Sequence, residues 1–140
     1  LFPKDLRNDC SVVATVMSVD PDCSPEIAAM IGVSTAIAIS DIPWDGPISG
    51  VNVGLVDGEI VLNPTLEQRA KTDLNLTVAS TADLVAMIEA GGNEISDDLM
   101  FDCIMAGHEE NKKIVKFIQG IVDEVRLRIL RPRSRHYEGD

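Results

Sequence analysis

The sequence lacks every feature that would name an activity outright. No apolar run approaches the roughly 18–20 residues needed to cross a bilayer, so no membrane-spanning segment is expected. Cys10, Cys23 and Cys103 are odd in number and show no C-x-x-C spacing. That argues against a disulfide framework or a zinc site and suits a reducing cytosol. The opening Leu1-Phe2-Pro3-Lys4-Asp5 has no initiator Met and no charged-then-apolar signal layout, which reads as a fragment or a processed product. Cations are scarce where most of the chain lies. Residues 1–125 carry 7 Lys/Arg against 21 Asp/Glu, a net −14, whereas residues 126–140 carry 5 Arg against 2 acids, a net +3. Phosphate neutralisation needs clustered cations, so composition alone votes against a nucleic-acid surface.

The catalytic motifs are missing too. His108-Glu109-Glu110-Asn111-Lys112 fails as a zinc-protease helix, because Lys112 stands where the second imidazole is required; a charged, exposed helix face explains it. The other histidine, His136, lies in the tail. There is no G-x-S-x-G elbow and no phosphate-binding P-loop. The paired acids Asp20/Asp22 and Asp97/Asp98 have local explanations, as the flanks of a turn proline and as the first turn of a helix.

What is present organises into an α+β domain, since 140 residues suffice for one modest core. Residues 10–19, rich in β-branched types, predict a strand. Ser24, Pro25 and Glu26 form a helix start of N-cap, N1 proline and first-turn acid. That helix runs to about Ser40 and is apolar almost all round, which predicts burial between layers. Val51 to Leu62 predicts a hairpin about a type I′ turn at Asp57-Gly58. Thr65 and Gln68 have capping-box spacing for a short helix. Leu74, Leu76 and Val78 alternate as a strand, partnered by Leu84 to Ile88 across a short turn. Ser96 opens a last helix with a stripe through Met100, Cys103, Ile104, Gly107, Asn111, Ile114, Ile118, Ile121 and Val125. The Arg-rich tail, 126–140, breaks the pattern and predicts a disordered end, with a basic RNA-touching arm as the sharper alternative.

Several stretches in one order carry a resemblance: Leu1-Phe2-Pro3, Val16-Met17-Ser18-Val19-Asp20-Pro21, Pro25-Glu26-Ile27-Ala28-Ala29 and Ala38-Ile39-Ser40-Asp41-Ile42-Pro43. Gly46-Pro47-Ile48, Val53 to Gly58, Leu62-Asn63-Pro64-Thr65, Leu76 to Ala79, Met87 to Ala90 and Gly107-His108-Glu109 continue it. Over residues 1–125 the chain resembles the later part of the first RNase PH-like core of bacterial polynucleotide phosphorylases. The resemblance implies a mainly antiparallel sheet carrying two main helices, inside a cytoplasmic homotrimer that degrades RNA from the 3′ end. Inorganic phosphate is the implied attacking group, nucleoside diphosphates the products and Mg²⁺ the cofactor, with partners in RNA-degradation complexes. Lys4 and Arg7 are its implied RNA neighbours.

The same resemblance implies that this core is silent, with no catalytic residue of its own. The family's active core cradles phosphate in a serine-rich turn at a helix N-terminus, where free N–H groups favour an anion. The matching turn here is Ser24-Pro25-Glu26, in which proline removes a donor and the carboxylate repels the anion. The family's D-x-D-x-K metal strand reads Asp73, Asn75 and Thr77 here, so a carboxylate and a cation are missing and Mg²⁺ is not expected to bind this segment. Asp73 is kept, and single-domain RNase PH relatives show D-x-N at that place. Two rivals remain: a stand-alone RNA-binding or assembly module without phosphorolysis, and a free-standing RNase PH-type enzyme, against which Glu26, Asn75 and Thr77 argue. Without the strands that precede Leu1 in the family, apolar surface would be left uncovered, so the isolated chain is expected to be poorly soluble or to self-associate.

Overall fold

The structure, a computed structural model, describes residues 1–130. Its order is α1 (Pro25–Ala38), β1 (Ser49–Val56), β2 (Glu59–Leu62), α2 (Leu66–Arg69), β3 (Leu74–Ser80), β4 (Val85–Gly92) and α3 (Asp97–Leu130). The four strands form one antiparallel sheet in the order β2-β1-β3-β4. This is the expected α+β architecture.

Local chemistry explains most of the boundaries. Asp57 and Gly58, at φ 52° and 81°, close the β1–β2 hairpin in the left-handed region a type I′ turn requires. The Thr65 side chain accepts from the Gln68 backbone while Gln68 reaches back to the Thr65 N–H, which completes the capping box of α2. Side chains alternate on β1 and β3, so Val51, Val53, Leu55, Leu74, Leu76 and Val78 share one buried face. With Cys103 of α3 they make the core, and Ile95, Leu99, Met100, Ile104 and Ile114 pack around it. Helix α3 sits close because Gly107 has no side chain: an added Cβ would lie 2.9 Å from Val78 Cγ2 and 3.1 Å from Val53 Cγ2. Helix α1 crosses the Ser49 end of β1, its Met30 lying against Gly50, and also touches α3.

Four expectations need correction. Residues 10–19 are not a strand; they run irregular and exposed, with no backbone hydrogen bond among the described residues. Strand propensity is realised only against a partner strand, and no described strand lies alongside. Helix α1 is not buried between layers. It buries only Ser34 and Ile37, because its other side opens into a groove of about 770 Å³ lined by Val12, Val16, Ala29, Val33 and Ile42 among others. His108 is not on an exposed face; it is 6% exposed and faces β3. Finally, α3 continues helically from Arg126 to Leu130, past the expected start of the tail, while the expectation for 131–140 lies outside the described residues.

Candidate functional site

At the start of α1 the three expected residues come together. Ser24 stands at the N-cap position, but its hydroxyl makes no cap bond to the helix backbone. It donates instead to Glu26 Oε2 at 2.5 Å. That bond is the main reason the Glu26 carboxyl is held below the usual carboxylate range, with its own backbone N–H and the Arg69 charge adding to the effect. Glu26 therefore stays anionic at neutral pH, at the end of the helix where free N–H groups would otherwise attract an anion. Pro25 at N1 has no N–H to give. Within this turn the Ser24 hydroxyl and the Glu26 carboxylate thus satisfy each other.

The preceding turn is fastened from far along the chain. Asp22 Oδ1 accepts from the Leu66 N–H, the first residue of α2, at 3.0 Å. Arg69 Nη2 donates to the Pro21 carbonyl at 2.5 Å. Asp20 Oδ1 accepts from the Asp22 N–H at 2.9 Å, the turn role expected of that acid. Sequence reading missed Arg69 and the Asp22–Leu66 link, since separations of 44 and 48 residues leave no local signal.

Asp73, Asn75 and Thr77 also share a neighbourhood. Asp73 precedes β3, and alternation puts Asn75 and Thr77 on the sheet face opposite Leu74, Leu76 and Val78. Asp73 and Asn75 are exposed, and Thr77 Oγ1 donates to Asn52 Oδ1 on β1 at 3.0 Å. One carboxylate beside a neutral amide and an engaged hydroxyl is a poor donor set for Mg²⁺, a hard cation that favours carboxylates and phosphates. No group of three or more His, Cys, Asp or Glu among the described residues is placed to hold a metal ion. No hydrogen bond or ion pair joins this strand to the Ser24 turn among the described residues.

Lys4 and Arg7 lie exposed on the irregular opening segment, and neither forms an ion pair among the described residues. That segment is tied down by the Asp45 N–H bond to the Leu1 carbonyl and by Phe2 against Trp44, with ring centroids 5.9 Å apart. Of the cysteines, Cys10 and Cys23 are exposed, while burial and the neighbouring Asp102 raise the Cys103 thiol. No described helix is long and apolar enough to cross a membrane.

Comparison with known proteins places this arrangement. Residues 46–110 match the model of the 3′ exoribonuclease family, domain 2. The crystal structure of rice (Oryza sativa) Rrp46 superposes with a TM-score of 0.65 at 17% identity, covering 75% of this chain and 51% of that one. The fold is thus RNase PH-like. Sequence relatives narrow the class. The polyribonucleotide nucleotidyltransferase of Ruminiclostridium cellulolyticum is 64% identical over 125 residues, which is 89% of this chain and 18% of the relative. That of Oceanobacillus iheyensis is 57% identical over 122 residues, 87% of this chain and 17% of the relative. That of Heliobacterium modesticaldum is 50% identical over an alignment spanning 100% of this chain and 21% of the relative. The chain belongs to the polyribonucleotide nucleotidyltransferase family and spans about a fifth of the length of these relatives.

Proposed function

We propose that residues 1–125 are the later part of the first core of a 3′-to-5′ phosphorolytic exoribonuclease, and that this core performs no chemistry itself. The observation that carries this reading is the Ser24–Glu26 hydrogen bond, which fixes a carboxylate at the helix end where phosphate would need to sit. The neutral Asn75 and the engaged Thr77 support it from β3. In this reading the segment scaffolds a cytoplasmic homotrimer and helps form its RNA channel, with Lys4 and Arg7 nearest the RNA. Inorganic phosphate and Mg²⁺ act elsewhere in the longer polypeptide, and the assembly takes partners in RNA-degradation complexes. The acidic body fits a scaffold better than an RNA surface, because like charge repels the phosphate backbone.

The test is nucleoside diphosphate release from poly(A) by the purified chain, with Mg²⁺ and inorganic phosphate. No release is expected under conditions in which a full-length relative is active. Phosphate-dependent release that disappears in Asp73→Asn would overturn the reading and make this an active RNase PH-type domain.

A further inference from the structure

Two fully buried polar residues leave an atom without a hydrogen-bond partner among the described residues: Ser49 Oγ on β1 and Asn111 Oδ1 on α3. Native interiors rarely leave such atoms dry, and a protein group or an ordered water normally meets them. Both residues meet the same stretch of β3, Ser49 through the strand register and Asn111 through its bond to Val78. Ser49 lies directly opposite Ser80 in the β1–β3 register, on the same inner face as Val51 and Val78. Ser80 Oγ is 2.9 Å from His108 Nδ1, and Asn111 Nδ2 donates to the Val78 carbonyl at 2.8 Å. His108 and Asn111 are three residues apart on α3 and so share a face. Val78 and Ser80 are two apart on β3 and share theirs. Two bonds therefore clamp α3 to β3 here, while the unpartnered atoms come from β1 and from α3.

We propose that an internal water molecule sits at this junction, accepting a hydrogen bond from the Ser49 hydroxyl and donating one to Asn111 Oδ1. The groups that converge are hydroxyl, amide and imidazole, which suits a neutral ligand with both donors and acceptors rather than an ion. The water links α3 to β1 as His108 and Asn111 link it to β3, so one helix turn is held to both central strands. This inference is independent of whether the core is catalytically silent.

A crystal structure of the full chain at about 1.5 Å, with water–protein NOE measurements, reads the site directly. An ordered, slowly exchanging water within hydrogen-bonding distance of both atoms is expected. Ser49 Oγ turned onto a protein acceptor, with no water between it and Asn111, would overturn the proposal. A double-mutant cycle adds a second readout. Ser49→Ala should lower the folding equilibrium constant at least about threefold more in the native background than in Asn111→Ala, because contacting groups couple. Additive effects would count against the bridge. Should Asn111→Ala fail to fold, the crystallographic and NOE results on the unaltered chain decide alone.

Discussion

Helices α1 and α3 pack at the same sheet and finish in different surroundings. Helix α3 turns a defined stripe inward, with Cys103, Gly107, His108, Asn111, Val115, Ile118 and Val122 buried and charged residues such as Glu109 and Lys113 outside. Helix α1 is the more apolar of the two, yet it buries only Ser34 and Ile37. A one-sided stripe asks for one covering layer, and the sheet supplies it to α3. A helix apolar all round asks for two, and the described residues supply α1 with one. The loose segment beside it fits the same account, with Val13 84% exposed and Met17 90% exposed. Apolar content measures how much cover an element requires, whereas periodicity shows how much the local fold provides.

Paired substitutions sharpen this contrast. Leu76→Ala, in the fully enclosed core, should cost about 2–5 kcal/mol in chemical denaturation. Met17→Ala, on the open segment, should stay within about 0.5 kcal/mol of the parent. Equal effects would mean that residues 10–19 are packed in solution. Two of the helical glycines, Gly107 and Gly32, should differ in sign. Gly107→Ala pushes a Cβ against Val78 and Val53, and overpacking outweighs the gain in helix propensity, for a net loss of about 1–2 kcal/mol. Gly32→Ala meets nothing within 4 Å and should stabilise by up to about 1 kcal/mol, read as a rise in Tm.

The smallest effect belongs to the α1 start. Ser24→Ala removes the hydroxyl that chiefly depresses the Glu26 carboxyl, so its NMR titration should move up toward the ordinary carboxylate value. A carboxyl whose folded pKa is depressed adds stability above its unfolded pKa and loses it as pH falls through the folded value. The difference between parent and Ser24→Ala should therefore fade on acidification through that window. A Glu26 titration unmoved by the substitution would break the link between the two side chains.

Local signals made much of the fold legible in the sequence. The Asp57-Gly58 turn, the Thr65–Gln68 capping box and the β3 alternation are all encoded within a few residues, and each stands as expected. The α3 stripe holds at Cys103, Gly107, Asn111 and Ile118, but toward its end Val115 and Val122 are buried where Ile114, Ile121 and Val125 were expected and are only partly covered. Features that depend on distant partners were not legible. Residues 10–19 have strand chemistry without a strand beside them, and His108 looked solvent-facing until Ser80, 28 residues away, was placed against it. The interruption of the stripe at Asn111 is resolved by its bond to the Val78 carbonyl, 33 residues away. At the candidate site, Ser24, Pro25 and Glu26 could be picked out by type and position. That Ser24 would turn to Glu26 instead of capping the helix, and that Arg69 would fasten the turn before it, depended on packing.

The central claim, a silent core inside a phosphorolytic enzyme, is tested most directly by transplantation. Residues 1–125 would replace the matching segment of the Ruminiclostridium cellulolyticum relative, with and without Asp73→Asn, and phosphate-dependent nucleoside diphosphate release would be measured. The account predicts that both chimeras assemble and turn over within about twofold of each other, because no step passes through this segment. A loss of about a hundredfold or more on Asp73→Asn, in a chimera that still assembles, would contradict it, since general acid–base or charge-stabilising groups contribute on that scale.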